Sequence, residues 1–322
     1  DRTGIFSRVD GATITNLILD NVHISSTNRA GILIGEVDGS NVTVQNIVIR
    51  NSSVSGNSGN GVGGLIGYTK PTFTVDISNI SIADSTITNQ SSAAGGLIGM
   101  TDAGNVTIHN VHLSQLTITA SERAAGVYGA LKNSVQIHVS NVVIDADITG
   151  SQYIGGLVGR NESTNVSFSD GLIQGRLQST GNKNLGHLSG DQDIPNIDNV
   201  YLLDVNIIGT VTKQTVSEEF FLSSIDSVID QTWWNNHLDA IAQNEYWLYD
   251  GSSYVLNIDG LQMPDSHEVT LKVVHGFPDI IRYVRDGFLL VDQTLDDITG
   301  YRFVGWSLNQ AEYLPYDFEA VV

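Results

Sequence analysis

Eight histidines and a surplus of carboxylates are the groups through which this sequence could do chemistry. His109 and His112 stand in HNVH, inside an alternating stretch. A strand would send side chains three apart to opposite faces, so the two would not share a metal. His267 opens HEVTLKVVH, but paired zinc ligands on a helix stand four apart, and here His275 follows at eight in strand-like sequence. Asp145 and Asp147, in DADIT, would leave a strand on one side and could approach Glu122 or Arg123 one repeat earlier. Such carboxylates could hydrolyse a glycan by acid–base catalysis or, among oxygen-rich loops, hold calcium. A strand face commonly shows solvated carboxylates, and that is the reading taken for them. No nucleophile elbow, no phosphate-cradling loop and no dinucleotide GxGxxG set between a strand and a helix occurs. GNSGNGVGG at 56–64 has no lysine or helix after it and reads as a corner loop. The expectation is therefore a non-enzymatic chain with no catalytic residue, cofactor or metal, calcium being the one ion left open.

The bulk numbers narrow the function further. Across 322 residues, 35 acidic side chains face 15 basic ones, a formal charge of −20. That field repels phosphate backbones and anionic headgroups, which argues against nucleic-acid partners and membrane surfaces. No apolar run is long enough to span a bilayer. There is no cysteine, so no disulfide framework is expected. Asp1 begins in mid-pattern without a signal peptide, which reads as an excerpt of a longer protein.

The elements that would position all these residues announce themselves by repetition. GGLIG stands at 63–67 and again at 95–99, with GILIG at 31–35 and GGLVG at 155–159. The small residues closing each triplet align as Ser7, Gly35, Gly67, Gly99, Gly129, Gly159 and Ser189, about thirty residues apart. A second landmark keeps step: Asn16, Asn46, Asn79, Asn110, Asn141, Asp170 and Asn199, each before an alternating apolar stretch. Between them the pattern has period two with β-branched residues on one side, the signature of half-buried strand. A repeat of that length, too short to bury its own apolar face, predicts a right-handed parallel β-solenoid of about seven coils over residues 1–212. The asparagines would form a structural ladder of stacked amides at a bend, and the glycines the repeat corners, through positive φ or close backbone approach. TIT at 86–88 and 117–119 would be adjacent rungs, but HIS, SVS and DIT elsewhere break any flat threonine array.

These repeats resemble the GLUG repeat of large extracellular bacterial proteins, found in adhesins and in the amino-terminal regions of IgA1 proteases. The resemblance covers about residues 1–212, with departures at AAGVYGAL and NLGHLSGD, and it implies an architecture more than an activity. Beyond it, residues 213–263 read as a cap: SEEFFLSSIDSVIDQ carries Phe221, Ile225, Val228 and Ile229 near helical spacing behind Ser217, and EYWLYDGSSYVLNIDG reads as a hairpin. Trp233, Trp234 and Trp247 are read as core of that cap. Residues 264–322, opening at Pro264, form a separate module. Its Tyr301, Phe303, Gly305, Trp306, Tyr316, Asp317 and Phe318 resemble the Listeria/Bacteroides repeat, the B-repeat of internalins, which implies a small β-grasp-like module whose core those aromatics form. The resemblances imply an extracellular protein attached to a bacterial cell wall by regions outside this segment. Its role would be a stiff spacer and ligand-display rod for a host or bacterial surface protein or glycan, as a monomeric fragment. Two alternatives stand beside it: an accessory region of a large secreted protease or glycan-degrading enzyme, and a solenoid polysaccharide lyase or glycosidase.

Overall fold

A computed structural model describes residues 2–57, 59–71, 74–181, 183–217 and 220–222, with strand segments at 247–249, 254–256, 266–271 and 280–285. The first of two compact units, Asp1–Asn257, is built on a parallel β-solenoid of about seven coils. No α-helix appears among the described residues.

The first coil begins with the two-residue strand Arg2–Thr3 and coils 2 to 6 with a three-residue strand, Arg29–Gly31 in the second and Gly61–Gly63 in the third. These strands stack in parallel into a six-stranded sheet. The chain then hooks back through the apolar triplet into a second strand, a long strand and a short closing strand, for example Ile34–Gly39, Val42–Arg50 and Ser53–Gly56. These belong to one large parallel sheet that wraps around the core.

Stacking turns the repeat into columns. Ile34, Ile66, Ile98, Tyr128 and Val158 lie in register, coil over coil. So do Val44, Ile77, Ile108, Val139 and Phe168, and likewise Val54, Ile87, Ile118, Ile148 and Leu177. All of these residues from coils 2 to 6 are buried in one core cluster. Burial of each such side chain is worth about 1.5–3 kcal/mol, and β-branching suits the pleated, crowded column. The hook carries its own ladder. Leu97 O accepts from both Leu65 N and Ile66 N, and Leu157 O from Val127 N and Tyr128 N, so one carbonyl holds two amides of the coil below.

Two sequence expectations need correction. Ser189 does not align with Gly159. Val158 bridges to Ser189, and Leu157 N donates to Leu188 O, so GHLSG at 186–190 is the seventh hook and Gly190 the residue in the glycine column. Phe221 does not belong to a helix. Phe221–Leu222 is a strand parallel to Leu202–Leu203; pairing the open edge of the last long strand satisfies backbone groups that a helix there would leave bare. The rest of the helical cap, with Ile225, Val228, Ile229, Trp233 and Trp234, lies outside the described residues. So do Tyr301, Phe303, Gly305, Trp306, Tyr316, Asp317 and Phe318 of the β-grasp-like module.

Within the first unit, Trp247–Tyr249 and Tyr254–Leu256 pair as an antiparallel hairpin. The second unit, Ile258–Val322, contains the antiparallel pair Ser266–Leu271 and Ile280–Arg285.

Candidate functional site

The seven polar residues of the second landmark all have positive φ, from 49° at Asn199 to 58° at Asn16. Asn46 Nδ2 donates to Asn16 Oδ1 at 2.8 Å, Asn79 to Asn46 at 2.9 Å, Asn110 to Asn79 at 3.0 Å and Asn141 to Asn110 at 3.0 Å. Two requirements select asparagine here. The backbone must turn through the left-handed region, which asparagine tolerates better than most residues. The side chain must also donate to the coil below and accept from the coil above, which needs both halves of an amide.

The sixth rung breaks that logic. Asp170 keeps the left-handed backbone and accepts from Asn199 Nδ2 at 3.3 Å. An ionised carboxylate has no proton to donate, and Asn141 Oδ1 below it is buried without a partner. Asp170→Asn is expected to mend the stack and raise stability by about 1 kcal/mol, read as a higher urea midpoint with unchanged slope.

A second bend follows five residues after the first in six of the seven coils: Asn21, Asn51, Asp84, Gln115, Gly175 and Asp204 all have positive φ. The fifth coil omits it, and the ladder slips register between Leu113 and Leu116 where that coil pairs with its neighbour. Just beyond this bend serine hydroxyls replace the amides. Ser52 Oγ accepts from Val22 N at 3.0 Å and donates to Arg50 O, while Ser85 Oγ accepts from Ser52 N at 3.1 Å and donates to Ala83 O.

The corner glycines act through contact rather than conformation. None of Gly35, Gly67, Gly99, Gly129 and Gly159 has positive φ. A Cβ on any of them would sit within about 2.3–2.6 Å of backbone atoms: Thr3 N for Gly35, Ala30 C for Gly67, Val62 N for Gly99, Gly99 O for Gly129 and Gly129 O for Gly159. At these positions the two sheets lie back to back with no room for a side chain.

The residues considered for chemistry are not assembled into a site. His109 and His112 both face outward, on either side of the bend at Asn110, because Val106 and Ile108 before it and Val111 and Leu113 after it all enter the core. The opposite-faces expectation fails since the left-handed residue resets the alternation. Asp147 pairs with Arg176 of the following coil at 2.9 Å, and Glu122 pairs with its neighbour Arg123 at 3.2 Å. Among the described residues no group of three or more histidines or carboxylates is placed to hold a metal ion, and no helix is long and apolar enough to cross a membrane. Thr86 and Thr117 are adjacent rungs, as are Thr88 and Thr119, but Ser53, Ser55 and Asp147 flank them in the same columns.

His187 is a structural group rather than a ligand. It takes the place of the second hook glycine in the seventh coil, lies edge-on to Phe221 at 4.8 Å, and its Nδ1 accepts from Val216 N at 3.2 Å. Burial lowers its pKa below the usual 6.5. The unfolded chain then binds the proton more readily, so stability is full above about pH 6.5 and falls as pH drops through the folded value. His187→Gln is expected to flatten the loss of melting temperature between pH 7 and pH 5.

The geometry defines a parallel β-solenoid whose coils are clamped by an amide ladder on one bend and a close-packed glycine seam at the hook. No family model matches the chain. It is 33% identical over 156 residues to halomucin of Haloquadratum walsbyi, a match covering 48% of this chain and 2% of that protein. Among solved structures it is similar to a candidate immunoglobulin A1 protease from Bacteroides ovatus, with TM-score 0.49 and 16% identity over 72% of this chain and 86% of that one.

Proposed function

We propose that this chain is a non-enzymatic segment of a secreted bacterial surface protein, a stiff rod that displays ligand-contacting flanks for adhesion to a surface protein or glycan. The observation that carries this reading is the parallel pairing of the long strands, continued coil upon coil from Thr13–Asp20 to Asn196–Ile208 with only local slips at the second bend. Continuous inter-coil hydrogen bonding makes such a body resist bending, and each coil adds about 4.8 Å of reach. Supporting it are the acidic, cysteine-free composition, the resemblance of the hooks to GLUG repeats, and a partial match to a protein named as a mucin. The test is a binding screen of the purified chain against arrayed glycans and extracellular proteins, run beside lyase, glycosidase and peptidase assays. Saturable binding without turnover is expected. Turnover of any substrate, or no binding at all, would overturn the reading.

A further inference from the structure

We propose that the cleft lined by Arg2, Ser7, Arg8, Asn28 and Arg29 binds the carboxylate or sulfate group of an acidic saccharide, a ligand class that rests on the display role just proposed. Arg2 and Arg29 are register partners at the head of the first two short strands. Across from them, on the large sheet, Arg8 is in register with Glu36. In later coils the same interval between the sheets is filled, by Tyr68, Ala93, Met100 and Ala130 packed together. Over coils 1 and 2 it opens as a cavity of about 470 Å³, a volume typical of small-ligand sites.

Its charge runs against that of the chain. Three guanidiniums meet two carboxylates: Glu36, 1% exposed, pairs with both Arg2 and Arg29, and Asp38 pairs with Arg8 at 2.9 Å. Asp10 also interacts with Arg8, so the positive excess lies in the lining itself, which has three arginines and no carboxylate, in a protein whose formal charge is −20. The arginines are also held in place. The Arg29 guanidinium lies over the Tyr68 ring at 3.9 Å, and the Tyr68 hydroxyl donates to Asp102 at 2.9 Å. Each guanidinium carries five N–H donors in a planar fork that matches a carboxylate or sulfate. Glu36 thus serves as a buried anchor, and the remaining edges of the arginines supply the anion contacts.

The surroundings favour a sugar over a bare anion. A second cavity of about 660 Å³ shares Arg2 and is lined by hydroxyls and amides, among them Thr3, Ser25, Ser55, Asn57 and Gln90. Such a wall hydrogen-bonds ring hydroxyls, while the cationic cleft fixes the charged substituent.

The experiment is calorimetric titration of the whole chain at low ionic strength with four probes: a sulfated heparin-derived tetrasaccharide, tetragalacturonate, neutral maltotetraose and inorganic sulfate. At least one charged tetrasaccharide is expected to bind roughly tenfold or more tightly than maltotetraose or sulfate, and which one identifies the anionic group. Arg8→Gln, at a half-exposed side chain, is expected to weaken binding about tenfold, and Asp38→Asn to tighten it several-fold by removing the competing carboxylate. Arg29→Gln is avoided because it would remove one of the two partners of the buried Glu36. The proposal is overturned if inorganic sulfate binds as well as the tetrasaccharides, or if both substitutions leave a charged saccharide's affinity unchanged. That last result moves the ligand elsewhere on the rod and leaves the display role standing, whereas a chain that binds nothing in the wider screen loses both.

Discussion

Gly99→Ala is expected to cost about 3 kcal/mol or more and to lower the melting temperature by many degrees, an outsized effect for one methyl group. The added Cβ would lie 2.3 Å from Val62 N and 2.5 Å from both Gly61 C and Gly67 O. All three are backbone atoms, so no rotamer change relieves the clash, and the six-stranded sheet must lift off the large one. Overpacking that side chains can absorb typically costs 1–3 kcal/mol; here the seam itself must open. Gly59→Ala is the control, since nothing lies within 4 Å of that Cβ, and it is expected to be neutral or slightly stabilising. Comparable losses at Gly99 and Gly59 in urea unfolding would contradict the close-contact role of the hook glycines.

Asn110→Ala is expected to destabilise by about 2–5 kcal/mol. Asn110 is 1% exposed, with φ of 54°, and it bonds rungs on both sides. Alanine leaves Asn79 Oδ1 and the Asn141 amide without their partner in a dry interior, about 1–3 kcal/mol, and loses the local side-chain bonding by which asparagine tolerates the left-handed region, where an ordinary L-residue costs about 1–2 kcal/mol. The two causes separate by substitution. Asn110→Gly removes the bonds but restores the backbone, and Asn110→Asp keeps the acceptor and the backbone while losing the donor. Both should fall between wild type and alanine. If glycine proves as damaging as alanine, backbone conformation contributes nothing and the ladder bonds carry the whole effect.

What the sequence shows and hides follows from where the physical demands fall. The asparagine column is legible because backbone and side chain both constrain it, so the same letter recurs. The second bend, five residues on, constrains only the backbone at a more exposed position; Asn51, Asp84, Gln115 and Gly175 all serve, and no single letter marks it. A polar residue five places after five of the seven ladder residues was the available signal. Ser189 misleads because the hook is defined by carbonyl sharing at Leu188, not by a glycine pair, and His187 displaces one of that pair. The arginine cleft is hidden for a different reason. Arg8 and Glu36 belong to one sheet, Arg2 and Arg29 to the other, and only the closeness of the seam brings them together. The recurrence of arginine at equivalent places in two successive repeats, 2 and 29, was the only trace of it.

Every part of this account depends on successive coils lying in register, and the cysteine-free chain allows that to be measured directly. Thr86 and Thr117 are exposed register partners on neighbouring coils, and strands about 4.8 Å apart fall inside the Cα separation a disulfide spans. Thr86→Cys with Thr117→Cys should therefore cross-link rapidly and nearly completely under mild oxidation of the folded chain. Thr86→Cys with Thr119→Cys, displaced two residues or about 6.6 Å along the strand, should not. Equal cross-linking of the two pairs, or preference for the displaced one, would contradict the stacked register on which the rod, the ladder and the cleft all rest.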